Sequence, residues 1–310
     1  MLPNMIPTTI FTGFLGSGKT TIISKLIDAL QKKDKQVIFI KNEIGSENID
    51  AEIMKGKHIA TRELLNGCIC CTLVGPFISA INEISENFKP DRIIIEASGA
   101  ADPSAIALMI QNHPKLIRDG VISIVDTTQF EGYKDLSITA KNQAKFTDLI
   151  VFNKIELSSL EQKKRVVGYV RELNDHSPII EAPEGVLDPA LAFGVSSKEL
   201  KELLEIKHDH GHHLTQDGLE SFHLESKGEL ERQAFGDWIS QLPKSIFRIK
   251  GMVNLQNEGL NIINTVGTRT TYVKTENEQE DSENSIVCIG FHIAELKKEI
   301  EEQFLRLSSS

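Results

Sequence analysis

The feature that most constrains the fold of this chain is a junction near its start. The β-branched run "TTIFT" passes directly into "GFLGSGKT", Gly13 to Thr20, and then into a helical pattern. The octapeptide fits G-x-x-x-x-G-K-[ST]. Small residues let backbone amides curl around phosphate oxygens, and the N-terminus of the following helix adds its dipole. Gly13, Gly16, Ser17 and Gly18 are thus expected to form a phosphate cradle, with amides from Gly16 to Thr21 directed at the anion. Lys19 is expected to reach the β- and γ-phosphates, and the Thr20 hydroxyl to bind Mg²⁺.

A strand–loop–helix of this type belongs in a layered α/β structure, and the next 170 or so residues read that way. "QVIFIK", "RIIIEA", "GVISIVD", "DLIVFN" and "PIIE" are near-continuous apolar runs, the pattern of parallel strands buried on both faces. Helical periodicity lies between several of them, as in Pro76 to Phe88, where Phe77, Ile78, Ile81, Ile84 and Phe88 recur at helical spacing. Ligands in such folds bind beyond the carboxyl ends of the strands. After a short helical piece, "KELLEI", the pattern gives way to "KHDHGHHLTQDG", a polar stretch without periodicity that reads as a linker. Beyond it a strand "SFHLE", a helix from about Glu229 to Gln241, four further strands and a last helix predict a smaller α+β domain. The apolar stripe of that last helix is Ile293, Leu296, Ile300, Phe304 and Leu307. The expected division is 1–205, a P-loop domain with a mostly parallel sheet; 206–218, a His-rich linker; and 219–310, the α+β domain.

Charge and composition remove several classes of function. The net charge of −10 lacks the basic footprint that nucleic acid requires. No stretch of about eighteen apolar residues predicts a membrane span. The N-terminal segment has no basic region and is broken by Pro3, Pro7, Gly13 and Gly16, so it is a poor signal peptide. A cytoplasmic location is expected, without nucleic-acid or membrane partners.

A P-loop needs an acid at the end of a neighbouring strand for the magnesium shell. Glu96 in "DRIIIEASG" holds that position, and Gly99 follows it with an amide able to meet a γ-phosphate. Asp126 also ends a strand and is read as capping the segment after it. In "LIVFNKIEL", Asn153 and Lys154 stand where a guanine-reading Asn-Lys-x-Asp loop lies. Its acid, which accepts from the ring N–H and exocyclic amine of guanine, is here Glu156, one methylene longer. The other reading of "NKIE" is a helix start with an ordinary charged pair.

Cys68, Cys70 and Cys71 in "NGCICC" are three of the chain's four cysteines. Thiolates suit Zn²⁺ and Cu(I), but a structural zinc site takes four protein ligands, so three leave the shell open. In an extended strand Cys71 would face away from Cys68 and Cys70; Gly67 permits the turn that brings all three together. The motif lies between the P-loop helix and Glu96, where nucleotide-sensitive loops sit. Buried core thiols and a regulatory disulfide are the competing readings, the latter disfavoured by strain between such close cysteines. Cys288, alone in an apolar strand, reads as core, as does Trp238. His208, His210, His212 and His213 carry two readings, metal capture and a solvated linker.

Taken together, "TGFLGSGKTT", "NEIG", "NGCICC", "IIIEASGAADP", "GVISIVD", "FNKIE" and the late "IVCIG" resemble the CobW family of P-loop GTPases, relatives of the urease and hydrogenase metallochaperones. The resemblance spans nearly the whole chain. It implies binding and hydrolysis of GTP to GDP coupled to holding zinc or cobalt and passing it to a client metalloprotein. The implied catalytic set is Lys19, Thr20 and Glu96, with Glu43 a candidate for positioning water and slow intrinsic turnover expected. Lys41 and Ser46 stand where the family often carries acids, leaving Glu43 with Glu47 shifted by one. The competing functions are a nucleotide-responsive metal buffer without catalysis, and a thiol redox sensor.

Overall fold

The computed structural model describes residues 5–42, 61–63, 74–97, 103–129, 146–194, 218–275 and 283–308. The chain divides into two compact units between Phe193 and Gly194. Among the described residues no helix is long and apolar enough to cross a membrane.

In the first unit the strands are β1 (Ile6–Thr12), β2 (Val37–Asn42), β3 (Thr61–Glu63), β4 (Arg92–Ala97), β5 (Leu116–Asp126), β6 (Leu149–Asn153) and β7 (Ile179–Ala182). They form one sheet in the order β3-β2-β4-β1-β5-β6-β7, and every pairing is parallel. β1 and β4 are buried along their whole length, with Ile93, Ile94 and Ile95 consecutive in β4 and the polar Thr8, Thr9, Thr12, Arg92 and Glu96 buried as well.

Helices cover both faces. α1 (Lys19–Gln31) buries Ile22, Ile23, Leu26, Ile27 and Leu30. On the opposite face α2 (Val74–Asn87) and α3 (Pro103–Gln111) pack Phe77, Ile81, Ile84, Ile106 and Ile110 against Ile10, Ile38, Ile95 and Val121. α4 (Leu160–Leu173) closes Val166 and Val170 over Ile150 and Phe152. α5 (Pro189–Ala192) lies against α1. The helical spacing over-read one stripe. Ile78 and Phe88 are exposed, because Ile78 sits about 100° around the helix from Phe77 and Phe88 follows the last helical residue.

The second unit is an antiparallel sheet of β8 (Leu219–Ser226), β9 (Ile246–Leu255), β10 (Gly259–Val266), β11 (Arg269–Lys274) and β12 (Asn284–Phe291), in the order β11-β10-β9-β12-β8. α6 (Arg232–Gln241) and α7 (Lys297–Leu307) cover one face, with Phe235, Trp238, Ile300 and Phe304 buried among Leu224, Ile249, Ile286 and Cys288. α6 starts at Arg232 rather than about Glu229. Leu230 is taken into a bridge with Leu255, and the Glu231 carboxylate caps the amides of Gln233 and Ala234. Ile293 precedes α7, which opens with a 3-10 turn over Ala294–Leu296, yet it remains in the core. Cys288 is buried, and burial pushes its thiol up to about 12.

Candidate functional site

The carboxyl ends of β1, β4, β5 and β6 lie along one edge of the first sheet, with Phe11 beside Glu96 and Asp126 beside Asn153 in register. β1 is flanked by β4 on one side and β5 on the other, the arrangement that opens a crevice beyond the strand ends. The loop following β1 turns there, and its glycines have particular causes. At Gly13 (φ 134°) a Cβ would sit 2.3 Å from the carbonyl oxygen of Ile124, so the backbone passes β5 too closely for a side chain. Gly18 (φ 91°) caps α1 in the left-handed region, where a Cβ would meet the Asn153 amide nitrogen at 2.2 Å.

Lys19 is buried, and its ammonium donates to the carbonyls of Gly13 at 2.8 Å and Phe14 at 3.0 Å, so its tip lies over the loop. Ser17 is buried too, and its hydroxyl has no hydrogen-bond partner among the described residues. An unsatisfied buried polar group costs about 1–3 kcal/mol, and an oxyanion entering this amide-rich loop can satisfy it. The Thr20 hydroxyl lies 3.0 Å from both carboxylate oxygens of Glu96. This pairing of hydroxyl and carboxylate at the mouth of the loop is a hard-oxygen donor set that suits Mg²⁺.

The "NKIE" segment closes the opposite side. The Asn153 amide donates to the Ser17 carbonyl at 2.8 Å. Lys154, itself left-handed at φ 59°, donates from its ammonium to Gly16 O at 2.9 Å and to Asp126 Oδ2 at 2.6 Å. Asp126 Oδ1 accepts from the Thr128 amide at 2.8 Å and hydroxyl at 2.6 Å, the cap expected from sequence, with Lys154 added. Burial pushes the Asp126 carboxyl up, but the bonds from Lys154 and Thr128 outweigh it and hold the group below the usual carboxylate range. Two segments more than 130 positions apart in sequence are therefore joined by direct hydrogen bonds.

Glu156 lies in a 3-10 turn, Ile155–Leu157, and is exposed. Its Oε2 accepts the Glu184 amide at 3.0 Å, and that bond is the main reason its carboxyl sits below the ordinary range. The partner belongs to a turn after β7, Pro183–Gly185, which sequence reasoning did not single out. The available signal was a Pro-x-Gly turn following a strand at the sheet's carboxyl edge. Lys25 of α1 also joins this turn through the Glu184 carbonyl at 2.5 Å.

Thus Gly13, Gly16, Ser17, Gly18, Lys19, Thr20, Glu96, Asn153 and Lys154 are gathered at one edge, with Thr21 and Glu156 flanking them. Glu43, Gly99, Cys68, Cys70, Cys71, His208, His210, His212 and His213 lie outside the described residues. Among the described residues no cluster of three or more His, Cys, Asp or Glu side chains is arranged to hold a metal. Lys41, the departure noted in "KNEIGS", ends up as Glu96's register partner across β2 and β4.

Residues 7–181 match the family model for the CobW/HypB/UreG nucleotide-binding domain, and residues 219–308 match that for the cobalamin synthesis protein cobW C-terminal domain. The chain is 29% identical over 333 residues to the zinc chaperone CobW of Sinorhizobium sp., with 93% of each chain covered. It is 27% identical over 208 residues to the zinc chaperone YjiA of Escherichia coli K12, with 64% of each covered. A crystal structure of the Zn(II)-bound YjiA GTPase from E. coli is similar with a TM-score of 0.47 at 20% identity, covering 98% of this chain and 99% of that one. The chain belongs to the CobW/HypB/UreG family, with that family's nucleotide-binding domain followed by a CobW C-terminal domain.

Proposed function

We propose that the protein is a cytoplasmic GTPase that couples Mg²⁺-dependent binding and hydrolysis of GTP to the holding of a transition metal, zinc before cobalt, and its delivery to a client metalloprotein. The observation that carries the nucleotide half is the pair of hydrogen bonds from Asn153 and Lys154 to the carbonyls of Ser17 and Gly16. They tie the base-reading segment to the phosphate loop, so one ligand with a guanine at one end and phosphates at the other spans both. The metal half rests on the family, on the names of its zinc-chaperone relatives, and on the thiols of Cys68, Cys70 and Cys71. The histidines of the 206–218 linker, His208, His210, His212 and His213, are accessory candidates for capture, between domains assigned to 1–205 and 219–310.

In this reading the loop amides and Lys19 hold the phosphates, and Ser17 supplies a further donor. Thr20 and Glu96, hydrogen-bonded to each other, would hold the magnesium shell. The metal ion, when bound, neutralises charge on the β- and γ-oxygens. Glu156 and Asn153 read the guanine edge, and Asp126 fixes Lys154 against Gly16. Glu43 positions water, and turnover is slow until a partner completes the site. The test is competition of GTP, GDP and ATP for the purified protein together with GTP turnover with and without zinc. Equal affinity for ATP and GTP would refute the base assignment. Unmeasurable turnover in both conditions would leave a nucleotide-responsive metal buffer in place of a GTPase. Reversible Cys68 oxidation, with nucleotide affinity indifferent to metal, would mark a redox sensor.

A further inference from the structure

Glu156 differs from the shorter acid of a guanine-reading loop by one methylene, and a longer exposed side chain has one more torsion to fix before it can accept from a base. Three contacts around the Pro183–Gly185 turn supply that restraint. The Glu184 amide donates to Glu156 Oε2 at 3.0 Å, and the Glu184 carbonyl accepts from Lys25 Nζ at 2.5 Å. Gly185 (φ 70°) comes close enough that a Cβ there would touch Ile22 and Thr21 at 3.6 Å and Asn153 Oδ1 at 3.7 Å. Lys25 is i+4 from Thr21 and i+3 from Ile22, so it neighbours both on the surface of α1. The turn is thus held between that surface and the base-reading segment. Glu184 is a non-glycine residue at φ 52°, a conformation that persists only where its surroundings impose it.

We propose that Lys25 and the backbone of the Pro183–Gly185 turn are positioning elements for guanine selection, which hold the Glu156 carboxylate where it can accept from the base. The proposal rests on the guanine-nucleotide reading given above. A carboxylate oxygen has two acceptor sites, so the bond to Glu184 leaves both Glu156 oxygens able to accept from the ring N–H and the exocyclic amine. Lys25 also adds its charge to the forces that keep Glu156 ionised. The helix that begins at the phosphate loop therefore carries, two turns later, the group that steadies the base reader.

The test uses the full chain with Lys25→Met, which keeps the aliphatic stem and removes the donor, and Lys25→Arg, which keeps a donor. Dissociation constants for GDP, IDP and ADP are measured by displacement of a fluorescent GDP analogue, alongside circular dichroism melts. Loss of one hydrogen bond to the turn predicts that Lys25→Met weakens GDP about fivefold and leaves ADP within about twofold. IDP, which lacks the exocyclic amine, falls between them, and Lys25→Arg restores most of the GDP affinity. Equal weakening of GDP and ADP would assign Lys25 to general support of α1 and overturn the proposal, as would unchanged GDP affinity. If the unmodified protein itself binds ADP as tightly as GDP, the guanine reading fails instead, so the two failures are distinguishable.

Discussion

Replacing Gly18 by alanine tests how the two halves of the site are joined. The new Cβ would lie 2.2 Å from Asn153 Nδ2 and 3.5 Å from its Cγ, while the backbone is held at φ 91°. Alanine in the left-handed region costs about 1–2 kcal/mol. The clash drives the Asn153 amide off the Ser17 carbonyl, now at 2.8 Å, and strands a buried amide and carbonyl at about 1–3 kcal/mol. Gly18→Ala should therefore destabilise the first unit by about 2–5 kcal/mol. In an Asn153→Ala background the clashing group is gone, and the same change should cost only the backbone term, about 1–2 kcal/mol. The difference is a coupling energy that urea unfolding followed by circular dichroism can resolve. The chain's one tryptophan, Trp238, lies in the second unit and reports its unfolding separately. An equal cost of Gly18→Ala in both backgrounds would refute the contact between Gly18 and Asn153 as the reason this position is glycine.

Other outcomes follow from the same geometry. Asp126→Asn should destabilise the first unit at neutral pH. The Asp126 carboxyl is depressed in the folded state, so its contribution is present above the unfolded carboxylate pKa and is lost as pH falls through the lower folded value; acid titrations of stability for the variant should be flatter there. Asp119→Ala should destabilise the first unit in equilibrium unfolding, because it removes a carboxylate paired with the buried Arg92 guanidinium, which also lies 4.4 Å from the centre of the Phe193 ring. Phe304→Ala, opening a hole between Phe235 and Trp238, should cost about 3–5 kcal/mol, read by Trp238 fluorescence. In a Cys68→Ser, Cys70→Ser, Cys71→Ser protein the remaining Cys288 should resist a thiol reagent until the second unit unfolds, since it is buried and its thiol is pushed up to about 12.

The phosphate loop was legible because its constraint is local: glycines at positive φ, a strand before and a helix after leave a fixed spacing in the chain. The parallel strands were legible for a related reason, since burial on both faces favours consecutive apolar residues such as Ile93, Ile94 and Ile95 within β4. The Asn153–Lys154 segment stood out by its own residues, but its attachment to Gly16 and Ser17 did not, since a bond between Asn153 and a backbone carbonyl leaves no trace at the carbonyl's position. The Pro183–Gly185 turn was missed for that reason in stronger form. Lys25 meets Glu184 across 159 positions, and an exposed lysine donating to a main-chain oxygen is indistinguishable in sequence from a solvated one. Helical spacing also gathered Ile78 into the core stripe of α2, although apolar residues next to each other on a helix diverge by about 100°.

The central claim, coupling between nucleotide state and metal, is tested most directly by zinc titration of the purified protein without nucleotide, with GDP and with a non-hydrolysable GTP analogue. Zinc affinity is expected to differ between the GDP and GTP-analogue states, and the difference to disappear when Cys68, Cys70 and Cys71 are changed to serine. The same zinc affinity in all three nucleotide states would contradict it.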